Sequence, residues 1–127
     1  MTQRAVVESL ARRSLARFVV TWQARVRTST GAAAPTFGAW ADRSMHETGR
    51  TWSMEYDEDR DQQVRRERVM VRESDEYAAL VAGDQVKDPA GTIWAVTAVS
   101  SAGPGTRQYE CSIDHPVVQG RQQGGLI

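Results

Sequence analysis

Apolar and polar positions along this chain change period several times, and each change marks the edge of an element. Over 3–14, Val6, Val7 and Leu10 share one face of a helix, with Arg4, Glu8, Arg12 and Arg13 around the others, so the spacing predicts a short helix. From 18 to 26 the period drops to two. Phe18, Val20, Trp22, Ala24 and Val26 alternate with Val19, Thr21, Gln23 and Arg25, the pattern of a half-buried strand. Residues 28–50 open with Gly31, Pro35 and Gly38 and read as a long loop, with a helical turn as one reading of 40–48. Alternation returns at 51–56, with Trp52, Met54 and Tyr56 on one side and Thr51, Ser53 and Glu55 on the other.

The stretch 57–65 is too charged to bury and reads as a second long loop, followed by a strand at 66–72 and a helical turn at 74–80. Three strands close the pattern, at 84–87, 93–99 and 108–113. They are joined by a turn carrying Pro89 and Gly91 and by a hairpin loop carrying Gly103, Pro104 and Gly105. After Pro116 no periodicity remains, so 115–127 reads as a flexible tail. The expectation is a mostly β chain with one domain over 1–114. It is a small SH3-like barrel or a sandwich of about six strands, with long loops and an N-terminal helix.

Composition adjusts this picture in three places. With 127 residues the chain holds one core, and 40% hydrophobic residues leave part of it outside that core. Sixteen basic residues balance sixteen acidic ones, which argues against a general nucleic-acid binder. Every basic residue except Lys87 is Arg, which reflects either a GC-rich genome or a preference for flat, bidentate interface contacts. Cys111 is alone, which excludes an internal disulfide and suits a reducing compartment. Apolar runs fall far short of the roughly 20 residues of a membrane span. The Arg-rich start resembles a transit peptide only superficially, because it runs straight into a strand.

Catalytic chemistry is not assembled anywhere along the sequence. His46 and His115 stand apart in loop-like surroundings and read as surface residues, and no His or Cys pair has the spacing of a zinc site. Asp57, Asp59 and Asp61 match the first three positions of a calcium loop, but Gln62 and Arg68 stand where that loop needs Gly and Glu. Ser101 lacks a strand–elbow–helix context, and Gly103-x-Gly105 precedes no helix pattern. Cys111 falls on the apolar side of its strand and reads as a buried small hydrophobe. The chain is therefore expected to be no enzyme and to need neither cofactor nor metal.

One stretch goes beyond generic β character. In 82–96, AGDQVKDPAGTIWAV, a strand starting Gly83-Asp84-Gln85-Val86 is followed by a Pro89/Gly91 turn and a Trp94-Ala95-Val96 strand. This resembles the head-to-tail connector proteins of long-tailed phages, the head-closure or stopper family. There the pattern stands near the C-terminus and precedes a final strand like 107–114. The strand at 66–72, the turn at 75–80 and the early strand at 18–26 fit the same order. The resemblance covers 66–114 best and 15–56 loosely. The helix at 3–14 departs from it, because the family begins close to a strand, and small barrels of other functions carry similar hairpins.

The resemblance implies a virion protein of the phage neck, present in the host cytoplasm during assembly. It implies a homo-oligomeric ring below the portal or adaptor that retains packaged DNA and offers a docking surface to the tail terminator or tail tube. Non-specific contact with DNA in the channel is a further implication; a membrane is not. On this reading the expected interface residues are Phe37, Trp40 and Arg43 in the first loop, Arg60 and Arg65 in the second, and Arg4, Arg12 and Arg13 in the helix. The other readings are a free-standing SH3-like module binding a peptide or nucleic acid, and another adaptor or tail-completion component. Four tryptophans bear on the choice. Trp22, Trp52 and Trp94 lie on strands and are expected in the core, whereas Trp40 is the interface candidate.

Overall fold

A computed structural model describes residues 20–29, 31 and 34–117. Six strands follow one another: β1 (Val20–Arg25), β2 (Ala41–Asp57), β3 (Gln62–Ser74), β4 (Gln85–Lys87), β5 (Ile93–Ser101) and β6 (Thr106–Pro116). All neighbours are antiparallel, and the order β1-β2-β3-β6-β5-β4 closes on itself through β1–β4 pairing. The molecule is thus a closed six-stranded barrel and not a sandwich, and closure removes most of the sheet edge.

Alternation explains what fills it. Trp22 and Ala24 from β1, Met45 from β2, Val69 and Val71 from β3, Val86 from β4, Trp94 and Val96 from β5, and Tyr109 and Cys111 from β6 are all buried together with Leu80. Ile113 packs against this cluster. The helix expected at 3–14 lies outside the described residues, and so does 118–127; among the described residues there is no helix. The helical turn expected at 74–80 is a non-helical turn, seated by Tyr109, whose hydroxyl oxygen accepts the Leu80 amide at 3.0 Å. Tail residues His115 and Pro116 belong to β6, paired with Arg65 and Val64.

The two long loops are corrected. β2 starts at Ala41 and runs 17 residues to Asp57, so the first loop ends at 40. The second shrinks to a tight turn at 58–61, because β3 starts at Gln62. Within 62–65 Val64 is fully buried and Arg65 pairs with Glu67 at 3.1 Å, while the charges that follow pair across the outer face of the ribbon. Arg66 contacts Glu55 at 3.0 Å and Asp114 at 2.7 Å, and Arg68 contacts Glu55 at 2.9 Å. The turn itself puts Asp61 at φ 52°, a left-handed conformation that Asp tolerates.

β1 pairs with β2 only over Ala41–Met45, whereas β3 and β6 pair far beyond. Residues 52–57, 62–67 and 113–116 lie past the last β5–β6 pair, Ala95–Ser112, and so continue beyond the barrel mouth as a three-stranded arm. A bulge at Thr48 lies just past the last described β1–β2 pair, between the pairs Glu47–Val71 and Gly49–Met70. Before it the odd residues of β2 face inward; after it the even ones do, since Arg50 pairs with the buried Val69.

The stretch 82–96 owes its shape to two buried carboxylates. Asp84 accepts the Arg27 amide at 2.9 Å and the Val81 amide at 2.8 Å, tying the end of β1 to the start of β4. Asp88 accepts the Thr92 amide at 2.9 Å and the Trp94 indole N–H at 3.2 Å, closing the β4–β5 turn around Gly91 at φ 92°.

Candidate assembly surface

The arm presents two unlike faces. Its outer face is the ladder of Arg66, Arg68, Glu55, Asp114 and Glu110, in which each charge is paired. Arg66's hydrogen bond holds the Asp114 carboxyl below the usual carboxylate range, and the same pairing raises the guanidinium. An open depression of about 370 Å³ between Arg66, Arg68, Thr97 and Glu110 belongs to this ladder; its charges already answer one another, so it offers a ligand little.

The opposite face continues the lining of the barrel. Trp52, Met54 and Tyr56 lie on it beside Glu67, Arg65 and Gln63 of β3 and Ile113 and His115 of β6. Beyond the mouth no described residue covers it: Trp52 is 64%, Tyr56 57% and Met54 48% exposed. Trp52 was expected in the core with Trp22 and Trp94, and the structure overturns that. Its alternation is correct, but the strands that would cover that face end one arm's length earlier. Tyr56 is tethered to the turn by donating its hydroxyl to Asp61.

The expected interface residues separate into groups. Phe37 and Trp40 come together around Arg25, whose guanidinium carbon lies 4.4 Å from each ring centroid. Lys87 stands 4.4 Å from the Trp40 centroid as well. Arg25, Lys87 and Gln85, which accepts from Arg25 at 2.8 Å, lie on the outside of β1 and β4, so this stack pins loop 28–40 to the barrel wall. Arg43 lies on β2 and not in a loop, with its side chain 12% exposed. It reaches inward and donates to both Glu73 oxygens, at 2.8 and 2.9 Å. Arg60, in the tip turn, pairs with Asp57 at 3.3 Å, and Arg65 pairs with Glu67 on the apolar face at 3.1 Å. Arg4, Arg12 and Arg13 lie outside the described residues.

Glu73 is the other group that the sequence did not single out. It is fully buried, flanked by Arg43, Arg107 and the Tyr109 hydroxyl. Burial pushes its carboxyl pKa up, opposed by Arg43 and Arg107. The cluster fills this part of the barrel with paired polar groups, Glu73 fully buried and the Arg43 and Arg107 side chains 12% and 17% exposed. Burial also pushes the Cys111 thiol up to about 12, which keeps it protonated and inert. Asp57 accepts the Asp59 and Arg60 amides, so the acidic turn is closed on its own backbone, and no three potential ligands converge on a metal site among the described residues.

What this arrangement can do is bind by shape. It offers a sheet face bearing Trp52, Met54 and Tyr56 beside the Arg65–Glu67 pair, and strand edges unpaired among the described residues, all carried on a closed barrel. Comparison of the chain with protein-family models, with curated proteins and with solved structures finds no match to any of them.

Proposed function

We propose that this protein is a structural part of a phage neck, a head-closure or stopper subunit that forms a ring below the portal and adaptor. In that position it retains packaged DNA and presents the surface on which the tail docks. The observation that carries the reading is the arm: a sheet extended past its barrel with an apolar face that no described residue covers. A chain that leaves Trp52, Met54 and Tyr56 in water gains stability when a neighbour covers them. Repetition around a ring multiplies such contacts.

The motif at 82–96 supports the same reading. Its Asp84 and Asp88 bonds supply a physical reason for a Gly-Asp strand start and a Pro/Gly turn to recur in a barrel of this kind. The SH3-like binding module remains the second reading, favoured by the surface stack of Phe37, Arg25 and Trp40. The stack's rings are already occupied by the chain's own cations, which weakens it as a groove for a peptide or nucleic acid.

The test is deletion of the gene in its virus or prophage, with the lysate imaged by electron microscopy. Emptied or unjoined heads beside free, complete tails are the expected result. Normal, infectious particles would remove the protein from the virion and leave the binding module.

A further inference from the structure

Among the described residues two strand edges stay open where the barrel closes the rest. On β2, β1 ends opposite Met45, and among the described residues nothing pairs with 49–57 on the side away from β3. On β5, β4 covers Ile93–Ala95, and the Gly83 and Asp84 backbones bond Val96; beyond it 98–101 has β6 alone. Proteins usually guard such edges with charges or proline. Here 92–102 carries neither, and neither does 51–54. The bulges at Thr48 and in the Val96/Ala98 step lie before the free stretches and leave them regular.

The two edges lie at opposite ends of the molecule. β2's edge runs out to the turn at 58–61, and β5's edge runs to the turn at 102–105, near the other end of β3. Thirteen residues of β3 set these ends about 40 Å apart. Apolar lining runs off the barrel at both: Trp52, Met54 and Tyr56 at one, and at the other Val99, which pairs with the buried Tyr109 yet is 41% exposed.

We propose that copies of this chain join head to tail, the free edge of β2 in one copy adding to the free edge of β5 in the next. Uncharged backbone then meets uncharged backbone, and the Trp52 stripe is covered from beside Val99. Unlike edges at opposite ends make a heterologous contact, which closes into a ring or runs on as a filament. Two β2 edges pairing with each other would instead make a two-fold dimer and leave β5 and Val99 open. As the contact that builds a neck ring this rests on the reading above; as a contact between copies it rests on the two edges.

The test uses the full chain with Thr51→Cys or Ala98→Cys, both at exposed positions on the outer face, with the buried Cys111 left in place. The two variants carry tags of different mass and are treated with a short bismaleimide over a concentration series up to the solubility limit. Near-UV circular dichroism confirms that each is folded. The expected result is a cross-linked pair in the mixture that neither variant forms alone, and a ladder of multiples from the double variant. Thr51→Cys cross-linking to itself would establish the two-fold dimer and overturn the proposal, as would the absence of any cross-link at the highest concentration. As a second readout, Ala98→Lys with Ser100→Lys is expected to lower self-association in sedimentation at least tenfold while the melting temperature holds. Unchanged association would equally overturn it. A ladder together with normal particles after gene deletion would end the neck reading and leave this contact standing; joined defects without a ladder would do the reverse.

Discussion

Arg43, one of the expected interface residues, holds a buried carboxylate. Removing it strands the Glu73 charge, so Arg43→Ala is expected to cost about 3 kcal/mol in urea unfolding. A loss no larger than that of an exposed ion pair would mean that Arg107, 3.7 Å away, holds Glu73 by itself. Two carboxyls also give stability opposite pH slopes. Asp114's pKa is lowered by Arg66, so its contribution is present above the ordinary carboxylate value, about 3.9, and is lost as pH falls through the lowered one. Glu73's is raised by burial, so the folded state binds the proton more tightly than the unfolded chain, and stability falls as pH rises from about 4.3 through the raised value. Urea midpoints across this range are expected to show Asp114→Asn flattening the acid loss and Glu73→Gln flattening the fall above it. Parallel profiles for the wild type and both variants would contradict the assignment.

At the scale of elements, the bulge at Thr48 is what lets one strand serve two settings. It absorbs one residue, so Met45 and Arg50 both face inward although they stand five positions apart. Deleting Thr48 is expected to leave a regular ladder with the same residues inward and a melting temperature close to the wild type. Deleting Thr51 instead carries Trp52, Met54 and Tyr56 onto the face of Arg66 and Arg68, and is expected to melt markedly lower. Equal effects would mean that the bulge has no part in the register. The β4–β5 hairpin is fastened differently, by the side chains of Asp84 and Asp88, because a three-residue β4 has few ladder bonds of its own.

The whole molecule pairs a rigid barrel with an arm whose stability is completed elsewhere. In the isolated chain, amides of 49–57 that point away from β3 have no partner among the described residues and are expected to exchange rapidly, unlike those of 69–71 and 109–111 inside the barrel. Incorporation into an assembly is expected to protect the β2 edge and the 98–101 edge together. Protection at neither would count against both edges as contact sites, whatever the particle.

Local chemistry was readable where a pattern depends on neighbours in the chain. Six strands, the inward set of Trp22, Trp94, Tyr109 and Cys111, and the turns at 87–91 and 100–105 all follow from alternation and from glycine and proline. Alternation says which residues share a face, since the period of a strand is two. It cannot say whether another strand lies over that face, and that decided Trp52, which has the same pattern as Trp22 and the opposite environment. Charge along the chain likewise marked 57–65 as too polar to bury, yet Val64 within it is fully buried. Only pairing across strands, Val64 with Glu55 and Pro116 and Arg65 with Met54 and His115, showed that 62–65 is β structure and not loop. The sequence by itself determined six alternating stretches and the inward side of each, though not that 41–50 and 62–65 extend two of them. The tertiary structure decided where the barrel ends and which apolar residues are left beyond it, because coverage is set by strand lengths on partners distant in sequence.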